Sequence, residues 1–172
     1  MSDHAHATDA PVRRLPLAGE IMQTDVISVS PHASLIEVHR LLLEEEISGA
    51  PVIDEAGNVL GVISSKDLLR AVQDEYESGA ASKAPAYFRE ELPYSGRDWP
   101  GAPDAFQDRL GALTAADAMV HELISVVPET PVAEVARIMR GQRIHRVFVV
   151  KDQELLGIVT TFDLVGLLDR LG

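Results

Sequence analysis

Two short stretches of this 172-residue chain combine a hydroxyl and a carboxylate at a spacing that could bind a ligand. The sequence GVISSKD places Ser64 three positions before Asp67, and GIVTTFD places Thr160 three positions before Asp163. At the start of a helix, such a pair can cap unpaired backbone N–H groups. The same helix start attracts a phosphate, and its carboxylate can accept hydrogen bonds from both hydroxyls of a ribose. Capping and ligand binding are both open interpretations of the motif.

The two motifs belong to a duplication that covers most of the chain. Residues 17–72 resemble residues 114–168 at an offset of 97 positions, which shortens to 96 at the turn before Gly61 and Gly157. Copies of this length typically form one supersecondary unit each and pack against each other. The one-residue deletion lies where a loop would tolerate it. We therefore expect any function to lie where the copies meet.

Each copy has the pattern strand, helix, strand, strand, helix, which indicates an α/β fold. In the first copy, the β-branched run at residues 26–29 predicts a strand, and a capping-box pattern at Ser34 begins a helix. Residues 51–54 and 59–63 flank a Gly-containing turn and predict a hairpin, and the second helix covers residues 67–73. The second copy predicts strands at 123–126, 148–150 and 155–159 and helices at 132–139 and 163–168.

The segment between the copies, residues 77–113, differs from both in composition. It holds four prolines and most of the aromatic residues of the chain, and short helices are predicted near 86–92 and 105–110. An irregular stretch of this length is more often a functional or docking loop than a simple connector. Its aromatic side chains either fold back over the module as a lid, which we favour, or dock a partner. Residues 1–16 are predicted to be a disordered tail.

The composition excludes several classes of protein. A net charge of −12 argues against binding to nucleic acid or anionic lipid, because phosphate backbones favour clustered Lys and Arg. The chain has no apolar run near the roughly 20 residues that a membrane span requires, and no secretory signal. The absence of cysteine fits a reducing compartment, so we expect a soluble cytoplasmic protein. An enzyme and a metal site are not expected, because no phosphate loop, activated nucleophile or zinc spacing is present.

The duplicated pattern resembles a tandem pair of CBS domains, or Bateman module. The resemblance rests on the Ile21-Met22 pair with the VISV run after it, on APVID, and on GVIS followed by Asp67-Leu68, together with their duplication. It implies two βαββα repeats, at residues 17–76 and 114–172, packed with pseudo-twofold symmetry around an irregular insertion. It also implies clefts for adenosine-containing ligands between the repeats, a homodimer, and an unidentified effector protein as partner.

The resemblance further implies which residues bind the ligand. Asp67 and Asp163 correspond to the ribose-binding aspartates of the family, and Ser64 and Thr160 correspond to the adjoining hydroxyls. The positions that would line the adenine with backbone and apolar atoms are Ile27, Gly49, Ala50, Ile124 and Val147.

Basic residues favour a phosphate among the adenosine ligands. His145-Arg146 resembles the His-Arg pair with which the regulatory γ subunit of AMP-activated kinase contacts nucleotide phosphate, and Lys66 occupies a position that can also be basic there. Two bases and a helix dipole suit a phosphate better than a sulfonium. AMP, ADP or ATP is therefore expected ahead of S-adenosylmethionine, with Mg²⁺ only alongside ATP. The first copy has Ser48-Gly49 at the matching positions, so the two clefts are not equivalent.

These observations predict a nonenzymatic regulatory module that senses an adenine nucleotide between its repeats and transmits a conformational change to a partner. Two alternatives stay open. The module is a structural dimerisation unit whose clefts bind nothing, or its ligand is S-adenosylmethionine.

Overall fold

A computed structural model describes residues 14–72, 86–89 and 104–171 of the chain. The first repeat contains α1 (Ala18–Ile21), α2 (Leu35–Glu44), β1 (Gly49–Ile53), β2 (Val59–Ser64) and α3 (Ser65–Val72). Two helices of the insertion follow, α4 (Ala86–Arg89) and α5 (Asp104–Ala112). The second repeat contains α6 (Ala115–Ala118), β3 (Ser125–Val126), α7 (Val132–Gln142), β4 (Arg146–Lys151), β5 (Glu154–Thr160) and α8 (Thr161–Leu171). The predicted mixed α/β architecture is confirmed.

Helix α2 begins at the predicted capping box. The Glu37 N–H donates to Ser34 Oγ at 3.3 Å, and the Ser34 N–H donates to Glu37 Oε2 at 2.8 Å. These two bonds satisfy backbone donors that a helix start leaves unpaired. The apolar residues at helical spacing, Leu35, Val38 and Leu42, are completely buried, so this helix packs its predicted face into the core.

Each repeat contains an antiparallel hairpin, β1 with β2 and β4 with β5. In the first hairpin turn, one Asp54 carboxylate oxygen accepts hydrogen bonds from the backbone N–H groups of Ala56 and Asn58, and the other accepts from the Asn58 amide. These bonds, the Asn58 amide first among them, hold the pKa of Asp54 below its ordinary value. Gly57 supplies the left-handed conformation that the turn requires, with φ of 91°.

The predicted strand at residues 26–29 is wrong. In this described segment, Val29 alone pairs with β1, through a single parallel bridge, whereas its counterpart in the second repeat is the short parallel strand β3. The Phe148 N–H donates to the Ile124 carbonyl at 3.1 Å and extends the pairing there. Pro51 occupies the position that matches Phe148, and because proline has no N–H, the first repeat cannot form this bond.

Backbone contacts between the repeats follow the predicted pseudo-twofold symmetry. Gln23 pairs with Ile158 through two hydrogen bonds of 2.8 and 2.9 Å, and the matching residues Val120 and Val62 pair in the same antiparallel way at 2.8 and 2.9 Å. We call residues 22–23 and 119–120 the crossing segments, because each pairs with a strand of the opposite repeat.

Two glycines allow the crossing segments to approach so closely. A Cβ atom at Gly61 would lie 2.7 Å from the Val120 carbonyl oxygen, and one at Gly157 would lie 2.6 Å from the Gln23 carbonyl oxygen. Both distances are below ordinary van der Waals contact, so any larger residue would push the repeats apart.

The insertion returns to the module at α4. The prediction that its aromatic side chains fold back is confirmed for Tyr87 and Phe88, which are 2% and 0% exposed. The side chains of Tyr76, Tyr94 and Trp99 lie outside the described residues, as do residues 1–13 of the predicted tail. The next part of that tail contacts the second repeat, where the Val132 N–H donates to the Pro16 carbonyl at 3.0 Å. Among the described helices, none has the length and apolar character needed to cross a membrane.

Candidate functional site

The strand-to-helix junction of the first repeat is held together by hydrogen bonds to a buried carboxylate. Asp67 Oδ2 accepts hydrogen bonds from the Ser64 N–H at 2.8 Å and the Ser64 hydroxyl at 2.6 Å. Asp67 Oδ1 accepts from the Arg70 guanidinium at 3.3 Å. Ser64 is 0% and Asp67 2% exposed, so this carboxylate is buried and uses both oxygens within its own repeat.

The matching junction of the second repeat is more open. Asp163 Oδ2 accepts from the Thr160 N–H and the Thr160 hydroxyl, both at 2.7 Å, so the capping interpretation is confirmed at this end as well. Asp163 Oδ1 accepts from the Gln23 side-chain amide at 2.9 Å, across the boundary between the repeats. Asp163 is only half-buried. One oxygen therefore holds the helix cap, and the other faces the opposite repeat.

The two predicted phosphate-binding residues lie side by side in the sequence but have different surroundings. His145 lines a cavity of about 420 Å³ between α7 and α8, together with Arg140, Arg143 and Thr161. The His145 carbonyl accepts from the Thr161 N–H at 2.9 Å, which places the start of α8 against this wall. The Arg146 guanidinium instead lies 5.1 Å from the centre of the Tyr87 ring, a distance typical of a cation–π contact.

Most of the predicted adenine-lining positions are buried, and one of them, Gly49, lies against α4. Gly49, Ala50, Ile124 and Val147 are buried and Ile27 is half-buried. A Cβ atom at Gly49 would lie 2.9 Å from Tyr87 Cδ2 and 2.6 Å from the Ile63 carbonyl oxygen, so only glycine fits beside this ring. Gly49 and Arg146 are matching positions of the two repeats, and both contact Tyr87. The ring therefore lies between the segments that were predicted to hold the adenine. Lys66 is exposed in the first turn of α3.

An aromatic cluster fixes α4 in this position. The Tyr87, Phe88 and Phe148 rings lie 5.1 to 5.4 Å apart, and two of the three pairs are edge-to-face. The His145 N–H donates to the Phe88 carbonyl at 2.9 Å. Burial raises the pKa of Tyr87 to about 12, and nearby Arg146 partly opposes this shift. Sequence reasoning noted both the aromatic insertion and the Gly49/Arg146 mismatch, but it did not connect them.

A second cavity, of about 270 Å³, lies where α3 meets the crossing segment of the second repeat. Its lining includes Asp67, Arg70, Asp117 and Val120. The two carboxylates make it unfavourable for a phosphate. Within residues 14–72, 86–89 and 104–171, no group of three His, Asp or Glu side chains is arranged to hold a metal ion.

The CBS-domain family model matches residues 18–74 and 115–170. This chain belongs to the CBS-domain family. An uncharacterised protein of Methanocaldococcus jannaschii is 30% identical over 162 residues, which cover 90% of this chain and 95% of that relative. The arrangement of two repeats described above is thus a tandem CBS pair.

Two solved CBS structures support the same fold. One is CBSX2 in complex with AMP, with a TM-score of 0.62 and 23% identity over 91% of this chain and 98% of that chain. The other is a CBS-domain pair in complex with 5′-methylthioadenosine and S-adenosyl-L-methionine, with a TM-score of 0.58 and 23% identity over 92% of this chain and 99% of that chain.

Several curated relatives are much longer than this chain. The inosine-5′-monophosphate dehydrogenase of Korarchaeum cryptofilum is 30% identical over 140 residues, but the match covers 21% of that enzyme. This chain therefore spans about a fifth of the length of that enzyme.

Proposed function

We propose that this CBS pair is a nonenzymatic regulatory module that binds an adenine nucleotide, AMP, ADP or ATP, at the junction formed by Thr160 and Asp163. The observation that carries the proposal is the set of hydrogen-bond partners of the two Asp163 carboxylate oxygens. One oxygen is committed to the cap, while the other holds only the side-chain amide of Gln23 from the opposite repeat. A ribose hydroxyl can take the place of that amide, because both donate a single hydrogen bond to the carboxylate.

The first repeat is the weaker candidate. Asp67 is buried and its second oxygen accepts from Arg70, so a ribose would have to displace a charged donor from a buried carboxylate. The bond from Arg70 joins two opposite charges, whereas the bond from Gln23 to Asp163 has a neutral donor, so the Arg70 bond is the harder one to replace. We therefore propose one principal nucleotide site rather than two equal ones.

The charge around the second junction favours a phosphate. Arg140, Arg143 and His145 line the cavity beside the start of α8, where the positive end of the helix dipole also favours anions. This arrangement supports a nucleotide ahead of S-adenosylmethionine, although CBS pairs in complex with AMP and with S-adenosyl-L-methionine are both known. We propose that Mg²⁺ binds only together with ATP.

Titration calorimetry with AMP, ADP, ATP and S-adenosylmethionine at fixed salt tests the proposal. Asp163→Ala should weaken nucleotide binding by about tenfold or more, since it removes the ribose acceptor. Glu37→Ala is the matched control, because Glu37 forms the same kind of capping box at α2 and is not a predicted site residue. The sensor proposal is contradicted if none of the four compounds releases heat, either with the wild type or with a variant that lacks the Tyr87 ring.

The structural alternative has its own supporting observation. Helix α8 exposes Phe162, Val165 and Leu168, 81%, 53% and 65% accessible, at positions that share one face. We propose that the chain forms a homodimer through this face. We also propose that the module acts on an effector protein and that it is located in the cytoplasm. Light scattering on Phe162→Glu should show a loss of dimer, and a module that dimerises but binds no adenosine compound supports the purely structural role.

A further inference from the structure

Helix α4 already uses the groups that the nucleotide is expected to need. The Tyr87 ring lies against Gly49 and under the Arg146 guanidinium, where a flat adenine ring would find the same two neighbours. The Phe88 carbonyl takes the His145 N–H, a backbone donor at the edge of the predicted phosphate region.

The mismatch between the repeats fits α4 closely. Glycine in the first repeat leaves room for the Tyr87 ring, and arginine at the matching position of the second repeat covers the face of that ring. The difference between Gly49 and Arg146 was expected to serve nucleotide recognition. In this structure it holds α4, a segment of the chain itself.

We propose that α4 is an internal occupant of the nucleotide cleft, so that Tyr87 and Phe88 compete with the nucleotide for Gly49, the His145 N–H and Arg146. This inference rests on the proposed function and adds its regulation. Nucleotide binding releases α4, and release exposes two aromatic side chains that are otherwise buried. The apparent affinity is reduced by the fraction of molecules in which α4 is seated. Exposed aromatic rings are strong anchors for a protein partner, so the insertion carries the signal outward.

Calorimetry with AMP on the full chain tests the competition directly. Tyr87→Ala should bind AMP about tenfold or more tightly than the wild type, because the occupant is weakened. Tyr87→Phe is the matched control, since it keeps the ring and removes only the hydroxyl with its hydrogen bond to Arg146, and it should stay within about threefold. Unchanged or weaker binding by Tyr87→Ala overturns the proposal and makes α4 a fixed wall of the cleft.

Hydrogen exchange on the wild type gives a second readout, which does not depend on whether a variant folds. Saturating AMP should speed amide exchange at residues 86–89, and equal or slower exchange with AMP bound contradicts release. If the wild type binds no adenosine compound but Tyr87→Ala binds AMP, both the nucleotide site and its internal occupant are supported. If neither chain binds, the proposed function fails. If both bind equally and α4 stays protected, only the present inference fails.

Discussion

The two strand-to-helix junctions carry the same motif and differ in what reaches the second carboxylate oxygen. In the first repeat, Arg70 lies one turn along the same helix and pairs with Asp67. Gly166 occupies the matching position in the second repeat, so Asp163 instead accepts from Gln23 of the opposite repeat. The hydrogen bonds given above for the first junction lie within its own repeat, whereas the second junction includes a contact between the repeats. Identical motifs can have different accessibility when a single neighbouring residue changes.

The largest expected effect tests whether the repeats contact each other symmetrically. Gly61→Ala and Gly157→Ala should each lower the free energy of unfolding by about 1–3 kcal/mol, because each new methyl would meet a carbonyl oxygen of the crossing segment. Urea denaturation measures both. A cost at one glycine and none at the other would show that the two crossings are not equivalent.

A similar effect at one carboxylate and a smaller one at the other should separate the two junctions. Asp67→Ala should destabilise the chain by about 1–3 kcal/mol, since it leaves the buried Ser64 N–H and hydroxyl without their acceptor. Asp163→Ala should cost about 1 kcal/mol or less, because water can replace the acceptor at a half-buried site. The comparison uses chemical denaturation at one pH, and the reverse order of costs would contradict the distinction between a buried and a half-buried carboxylate.

Exchanging the neighbouring residue should sharpen the contrast. Gly166→Ala and Gly166→Arg should each stabilise the chain by about 0.5–1 kcal/mol, because glycine is a poor helix residue and the space around its Cβ position is open among the described residues. Thermal melting measures the gain. Calorimetry should then show weaker AMP binding for the arginine variant alone, and equal binding by both variants would separate Asp163 from the ribose.

The smallest effect concerns pH. Burial lowers the pKa of His39, and the matching residue of the second repeat is Ala136. Because the folded chain resists protonating this histidine, its contribution to stability is present above the unfolded pKa of about 6.5 and is lost as the pH falls below it. His39→Ala should therefore show a smaller drop in unfolding free energy between pH 7.5 and pH 5.5 than the wild type. Equal drops would assign the acid sensitivity elsewhere.

Much of the fold could be predicted because its signals are local. The Ser34 capping box, the Gly57 turn and the apolar spacing of α2 each depend on residues within one or two turns of one another. The duplication then supplied the pseudo-twofold arrangement, since a motif that occurs twice predicts two equivalent surfaces. The capping role of Asp67 and Asp163 was foreseen for the same local reason.

The remaining features depend on distant residues. The strand at residues 26–29 failed because a proline in β1, Pro51, lacks the donor that would have extended the pairing. The place of Tyr87 depends on Gly49 and Arg146, which lie 38 and 59 positions away in the sequence. The different partners of the two carboxylates depend on Arg70 and on Gln23, one of which belongs to the opposite repeat. No local pattern contains such information.

The crossing segments also determine how the module folds. Each repeat completes its backbone hydrogen bonding with residues of the other, through the pairs Gln23 with Ile158 and Val120 with Val62. If either repeat unfolded, the sheet of the other would lose its hydrogen bonds to the crossing segment. A strand edge beside a glycine would then be exposed. We therefore expect a single cooperative unfolding transition, in which neither half persists as a stable intermediate.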